Sequence, residues 1–207
     1  MPRRHRARNE RSFQRREGEL SGDLVLIVCE GEKTEPRYFE GLRDEWRLRS
    51  SDVEIVGKDC GAAPISVVDY AIRVREERKQ QRPYDQVWCV FDCDQHESLK
   101  RAVNKADDNG LHVALSVPCF EFWFLLHFRY TTRPFANCTE VVGKLRKHLK
   151  HYDKGAALPD LLLDGLEKAL KNAEKVRTHN QKTGSRNPST DVDKLVVKLR
   201  SMTRSAR

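Results

Sequence analysis

Glu30 directly follows the apolar run Leu24 to Val28 in LVLIVCEGEKTE, and Asp92 and Asp94 follow Val87 to Phe91 in VWCVFDCDQHE. Carboxylates at the ends of buried strands are costly to desolvate unless something uses their charge, and a divalent cation with oxygen ligands is the economical user. The D-x-D spacing puts both aspartates on one side of an extended segment, able to grip one ion from two directions. If all three carboxylates share a small volume, mutual repulsion raises their pKa values, and Mg²⁺ or Mn²⁺ relieves it. A cation held in this way activates water and neutralises charge on a phosphodiester. The competing use of such residues is structural: acidic side chains after strands also cap helices, and Asp94 is placed to be the N-cap of the helix that follows.

Three further residues qualify by type and position. Glu121 and His127 lie six residues apart among the bulky side chains of VPCFEFWFLLHF. The aromatic residues there are expected in the core rather than on a base-stacking platform. A glutamate in such a run needs a partner, so Glu121 either pairs with a buried cation or completes a metal shell. His127 is expected to be a core or cap histidine. Lys33, in the turn after Glu30, either contacts a scissile phosphate or is simply solvated. The chain contains no G-x-x-x-x-G-K-[ST] and no G-x-S-x-G, which excludes P-loop chemistry and a nucleophile elbow.

Positioning these groups requires a particular alternation of elements. Leu24 to Cys29 is a continuous apolar run, as in a strand covered on both faces. Thr34 is a candidate N-cap, Pro36 fits the first turn, and Phe39, Leu42 and Trp46 have helical spacing. Strands are then predicted at Val53 to Val56, Gln86 to Phe91 and Leu111 to Val117, with helices opening at Pro64 and near His96, the latter closed by Asn109-Gly110. Strands alternating with helices imply βαβ crossovers and a mostly parallel four-stranded sheet flanked by helices. Ligands in such folds bind beyond the carboxyl ends of the strands, where both acidic clusters fall, provided the first and third strands are neighbours.

After about Phe135 only helical stripes remain: Val141, Val142, Leu145 and Leu149, then Leu162 to Ala173, then Val192 to Leu199. The polar THNQKTGSRNPST segment between the last two is expected as an exposed loop, with Ser189 or Thr190 capping the final helix. The predicted organisation is a basic arm over 1–20, an α/β domain over 21–134 and a helical extension over 135–207 packed on it.

Charge and cysteine usage bound the class. The 207 residues carry 39 Lys and Arg against 31 Asp and Glu, a formal net charge of +8, which suits a globular protein that meets polyanions. Arg3, Arg4, Arg6, Arg8, Arg11, Arg15 and Arg16 lie in the arm, which has too few apolar side chains to fold alone. The six cysteines are expected as reduced thiols, several of them buried, and Cys89 and Cys93 lack the second pair that a zinc ribbon requires. No run approaches the roughly 18 apolar residues of a membrane span, and the start lacks the apolar region of a signal peptide, so a soluble cytoplasmic protein is expected.

The segments LIVCEGEKTEPRYFEGL, VWCVFDCDQH, LSVPCFEFWFLLHF and RNPSTDVDKLV, in this order, resemble the RloB family of prokaryotic proteins over about residues 22–200. That family is associated with phage-defence and restriction loci, including abortive-infection pairs with an ATPase partner. The first two segments are also similar to the wider Toprim fold of topoisomerases, primases and overcoming-lysogenization-defect nucleases. The resemblance implies that Glu30 is a metal ligand or general acid/base, that Asp92 and Asp94 are metal ligands, and that Glu121 stands where such nucleases supply another carboxylate. Two departures stand out: Gln95-His96 follows the D-x-D in place of a further acidic residue, and no topoisomerase tyrosine is assignable.

The implied function is a Mg²⁺- or Mn²⁺-dependent nuclease effector acting on RNA, including tRNA, or on DNA, with Glu30, Asp92, Asp94, Lys33 and Glu121 in its site and an ATPase as partner. A non-catalytic nucleic-acid-binding or sensor subunit with a degenerate site is the main alternative. A nucleotide-sugar transferase, which also uses D-x-D, would leave the Glu30-Gly31 turn without a role.

Overall fold

A computed structural model of the chain describes residues 22–205 apart from 59, 62, 94–97 and 155–159. The predicted arm and Asp94 therefore lie outside the described residues.

The elements run β1 (Val25–Cys29), α1 (Thr34–Glu45), β2 (Val53–Val56), α2 (Pro64–Arg78), β3 (Gln86–Asp92), α3 (Leu99–Asp108), β4 (His112–Val117), α4 (Glu121–Phe128), α5 (Cys138–Leu145), α6 (Asp160–Asp164), α7 (Leu166–Thr183), β5 (Ser189–Thr190) and α8 (Val192–Ser205). The sheet order is β2-β1-β3-β4-β5, with β1 to β4 parallel and β5 antiparallel to β4. The fold is thus α/β with a mostly parallel sheet, of five strands rather than the four expected. The fifth strand, paired as Ser116 to Thr190 and Val117 to Ser189, is too short for any alternation of side chains to betray it in sequence.

The uninterrupted apolar run of β1 is explained by what covers it. Val25, Ile27 and Cys29 face one hydrophobic cluster with α1, α4, α5, α7 and α8, while Leu24, Leu26 and Val28 face another with α2 and α3. The C-terminal helices belong to the first cluster, so sheet and extension share one continuous core. Helix α4 is apolar nearly all round because it is enclosed nearly all round: Phe122 to His127 are buried between the sheet and α5 and α7. Its last carbonyls are satisfied from outside, Leu126 by the Asn172 amide at 2.7 Å and Phe128 by the Lys168 ammonium at 2.6 Å.

Several local expectations change. Thr34 opens α1 but does not cap it; Lys33 occupies the N-cap position without a side-chain hydrogen bond. The predicted exposed loop shrinks, since α7 continues to Thr183 and ends on Gly184 in the left-handed region, leaving 185–188 as the connection to β5. Thr190 Oγ1 accepts the Val192 amide at the start of α8. Two of the six cysteines are not reduced thiols: Cys119 and Cys138 form a disulfide with Cα atoms 5.5 Å apart, whereas Cys29, Cys60 and Cys89 are buried outside any disulfide and Cys93 is half-buried outside one. The pairing is tertiary in origin. Asn137 Oδ1 accepts the Glu140 amide to cap α5, and Glu140 reaches back to the Ala136 amide, which sets Cys138 against the residue two before α4.

Candidate carboxylate site

Because β1 and β3 are adjacent and parallel, with Cys29 opposite Val90, the chain leaves both strands at the same end of the sheet. The Glu30 amide donates to the Val90 carbonyl at 2.9 Å, and Glu30 Oε2 accepts the Asp92 amide at 3.2 Å. A third carboxylate arrives from the next turn of chain. Glu35, in the first turn of α1 and only 7% exposed, folds back over Gly31, where any Cβ would overlap its carboxylate. The turn is held from the other side by Gly57: a Cβ there would overlap the Pro36 ring and stand 2.7 Å from the Gly31 carbonyl oxygen.

Glu121 is the fourth. It lies in the first turn of α4 and is 1% exposed. The Tyr152 hydroxyl donates to its Oε1 at 3.1 Å, and the Lys154 ammonium pairs with the same oxygen at 3.1 Å. Cys138 Sγ lies 3.2 Å from Oε2; joined in the disulfide it has no proton to donate, so this is a packing contact.

The electrostatics show that these groups share one environment. Burial, then the neighbouring Glu35, Glu121 and Glu30 carboxylates, pushes Asp92 well above the usual carboxylate range. Glu35 is pushed up to about 7, chiefly by burial and further by Glu121 and Glu30, against opposition from its backbone hydrogen bond and Lys154. Burial works against the Lys154 ammonium, but Glu121, Asp92 and Glu35 outweigh it and raise its pKa. Four carboxylates therefore face one nearby ammonium among the described residues.

A hard divalent cation suits the chemistry of this donor set, which is all oxygen and comes from four elements, with burial and like charge holding two members toward protonation. Among the described residues, the one trio of potential ligand atoms within 4.8 Å of each other is Cys119, Glu121 and Cys138. The disulfide removes both thiolates from that trio. Glu30, Glu35 and Asp92 thus stand in electrostatic contact without closing on a common point.

Of the residues singled out in sequence, the fold gathers Glu30, Asp92 and Glu121. Lys33 is exposed at the start of α1, and among the described residues it makes no ion pair with them. His127 is a core histidine, its Nδ1 2.9 Å from the Trp123 carbonyl oxygen, and burial lowers its pKa to about 4. Sequence reasoning passed over Glu35, Tyr152 and Lys154. Glu35 lies within EGEKTEP, yet an acidic residue in a first helical turn is ordinarily accounted for by the helix dipole. Tyr152 and Lys154 belong to no motif.

No helix among the described residues is long and apolar enough to cross a membrane. No curated protein and no solved structure matches the chain. The family model described as RloB-like protein matches residues 25–199, from the first residue of β1 to within α8. With that span covering both acidic strand ends, α4 and the β5 segment, the chain belongs to the RloB-like protein family.

Proposed function

We propose that the chain is a Toprim-like, divalent-metal-dependent nuclease in which Glu30, Glu35, Asp92 and Glu121 form the acidic site, joined by Asp94. The observation that carries this reading is that four carboxylates, from the ends of β1 and β3 and the starts of α1 and α4, share one buried environment that the Lys154 ammonium also reaches. Among the described residues, the Lys154 ammonium pairs with Glu121 and is favoured by Asp92 and Glu35 as well.

Glu30, Asp92 and Glu35 would hold Mg²⁺ or Mn²⁺, whose chemistry is to activate water and neutralise charge on the scissile phosphate. Glu30 is oriented by the Asp92 amide, and Glu121 by Tyr152 and Lys154. Lys154, kept charged by the carboxylates around it, brings positive charge to where a phosphodiester would lie. The substrate is RNA, including tRNA, or DNA. The family resemblance supports a role in phage defence beside an ATPase partner.

The test uses the purified full chain with Mg²⁺ or Mn²⁺ on labelled single-stranded RNA and DNA. Cleavage by the wild type and its loss in Asp92→Ala support the reading. Equal cleavage by that variant overturns it. Salt-sensitive binding without turnover under either metal favours instead a non-catalytic nucleic-acid-binding subunit.

A further inference from the structure

A cavity of about 680 Å³ opens at the β4–β5 edge of the sheet. Its place relative to the acidic site is set by register. Asp92 pairs with Ser116 on β4, and the neighbours of that pair, Cys93, Leu115 and Val117, which alternate to the opposite face of the sheet, line the cavity. Across it stand the C-terminal turns of α7 and the 184–191 segment, much of the RNPSTDVDKLV motif that the carboxylate site leaves without a role.

The walls divide by chemistry. Leu99, Leu115, Val117 and Val176 form an apolar side, and Arg177, Arg186 and Lys194 a cationic one, with the Ser185 and Ser189 side chains nearby. Asp191 also lines the cavity and pairs with Lys194 at 2.6 Å. Arg177 is tied to Asp193 at 2.5 Å. Three cations against these two carboxylates leave one positive charge, and Arg186, exposed and in no ion pair among the described residues, carries it.

Asn180 supplies a second observation. Its Nδ2 donates to the Pro188 carbonyl at 2.8 Å, which fixes the orientation of the amide. Its Oδ1 is then buried without a hydrogen-bond partner among the described residues, an uncommon state for a buried acceptor. It belongs to a residue of the cavity wall, so an occupant that shifts the wall slightly and brings an N–H group would satisfy it.

We propose that this cavity binds one nucleotide of a single-stranded nucleic acid, with the base against the apolar side and its phosphate on Arg186. Its volume falls within the roughly 300–1,000 Å³ of ligand pockets, and the combination of apolar slot, cationic rim and an acceptor awaiting an N–H group matches a nucleobase with its phosphate better than a bare anion. Its use as a substrate subsite, seating the nucleotide that flanks the cleaved bond, rests on the nuclease reading; occupancy by a nucleotide does not.

The four ribonucleoside 5′-monophosphates are titrated by calorimetry into the full chain in chelator, with inorganic phosphate and the free nucleosides as separate arms. At least one monophosphate should bind with a Kd below about 1 mM, and at least about 10-fold tighter than either phosphate or its nucleoside. Arg186→Glu, on an exposed side chain, should weaken binding about 10-fold. Asn180→Leu should do the same in folded protein, with folding checked by circular dichroism. Monophosphates binding no better than phosphate, or Arg186→Glu binding as the wild type does, overturns the proposal. Nucleotide binding by a chain that cleaves nothing leaves the cavity assignment standing and removes the nuclease. Cleavage without nucleotide binding does the reverse.

Discussion

Glu35 gathers the consequences of burial at the scale of single residues. Its folded pKa of about 7 lies above the ordinary value of 4.5, so between those values the folded chain holds a proton that the unfolded chain has lost. Stability contributed by that proton is fully present below about pH 4.5 and falls as pH rises through about 7, by roughly 3 kcal/mol at most. Glu35→Gln should remove this slope. Urea unfolding in chelator from pH 4.5 to 8 should show the wild type losing stability relative to the variant as pH rises, while His127, depressed to about 4, contributes alike to both and cancels. Parallel curves would mean that Glu35 is not held in this environment. Glu30 and Asp92 were legible in sequence because each ends an apolar strand. Glu35 was not, because its distinguishing property is the side-chain direction imposed by Gly31, and a sequence does not display direction.

Among the elements, α4 links core to site: the same eight residues supply a buried aromatic surface and, at their first position, Glu121. The Cys119–Cys138 disulfide ties the approach to α4 to the start of α5 across a separation of 19 residues. A loop of that length corresponds to roughly 3 kcal/mol in the chain-entropy model. Cys119→Ser with Cys138→Ser should therefore lower the denaturation midpoint measured under oxidising conditions, and reductant should bring the wild type down to meet it. A wild type indifferent to reductant and equal to the variant would show that the bond does not form. Composition pointed to reduced thiols because scattered cysteines in a chain of this size commonly are, and the proximity of these two depends on how α5 docks on α4.

At the scale of the molecule, the net charge of +8 is unevenly available to a polyanion. Of the cations on the C-terminal helices, Lys168 is engaged with the Phe128 carbonyl, Arg146 with that of Tyr152 and Arg177 with Asp193. Lys147, Lys150, Lys171 and Lys175 are exposed. Binding of a short single-stranded oligonucleotide in chelator should weaken linearly in log affinity against log salt, with a slope of about −3 or steeper if four or more phosphates are contacted. Fluorescence anisotropy between about 50 and 200 mM salt measures it; a slope near zero would mean that these lysines do not contact a nucleic-acid backbone.

The alternation of strands and helices, the strand ends that carry Glu30 and Asp92, and the burial of the aromatic helix were all determined by the sequence, because each is written in local hydrophobic periodicity and punctuation. Adjacency was not. Whether β1 and β3 are neighbours, whether Glu35 turns inward, whether Tyr152 and Lys154 reach Glu121 and whether a two-residue strand walls the cavity at the sheet edge all depend on contacts between distant segments. Such contacts are selected by packing of the whole core, and only the tertiary structure expresses that selection.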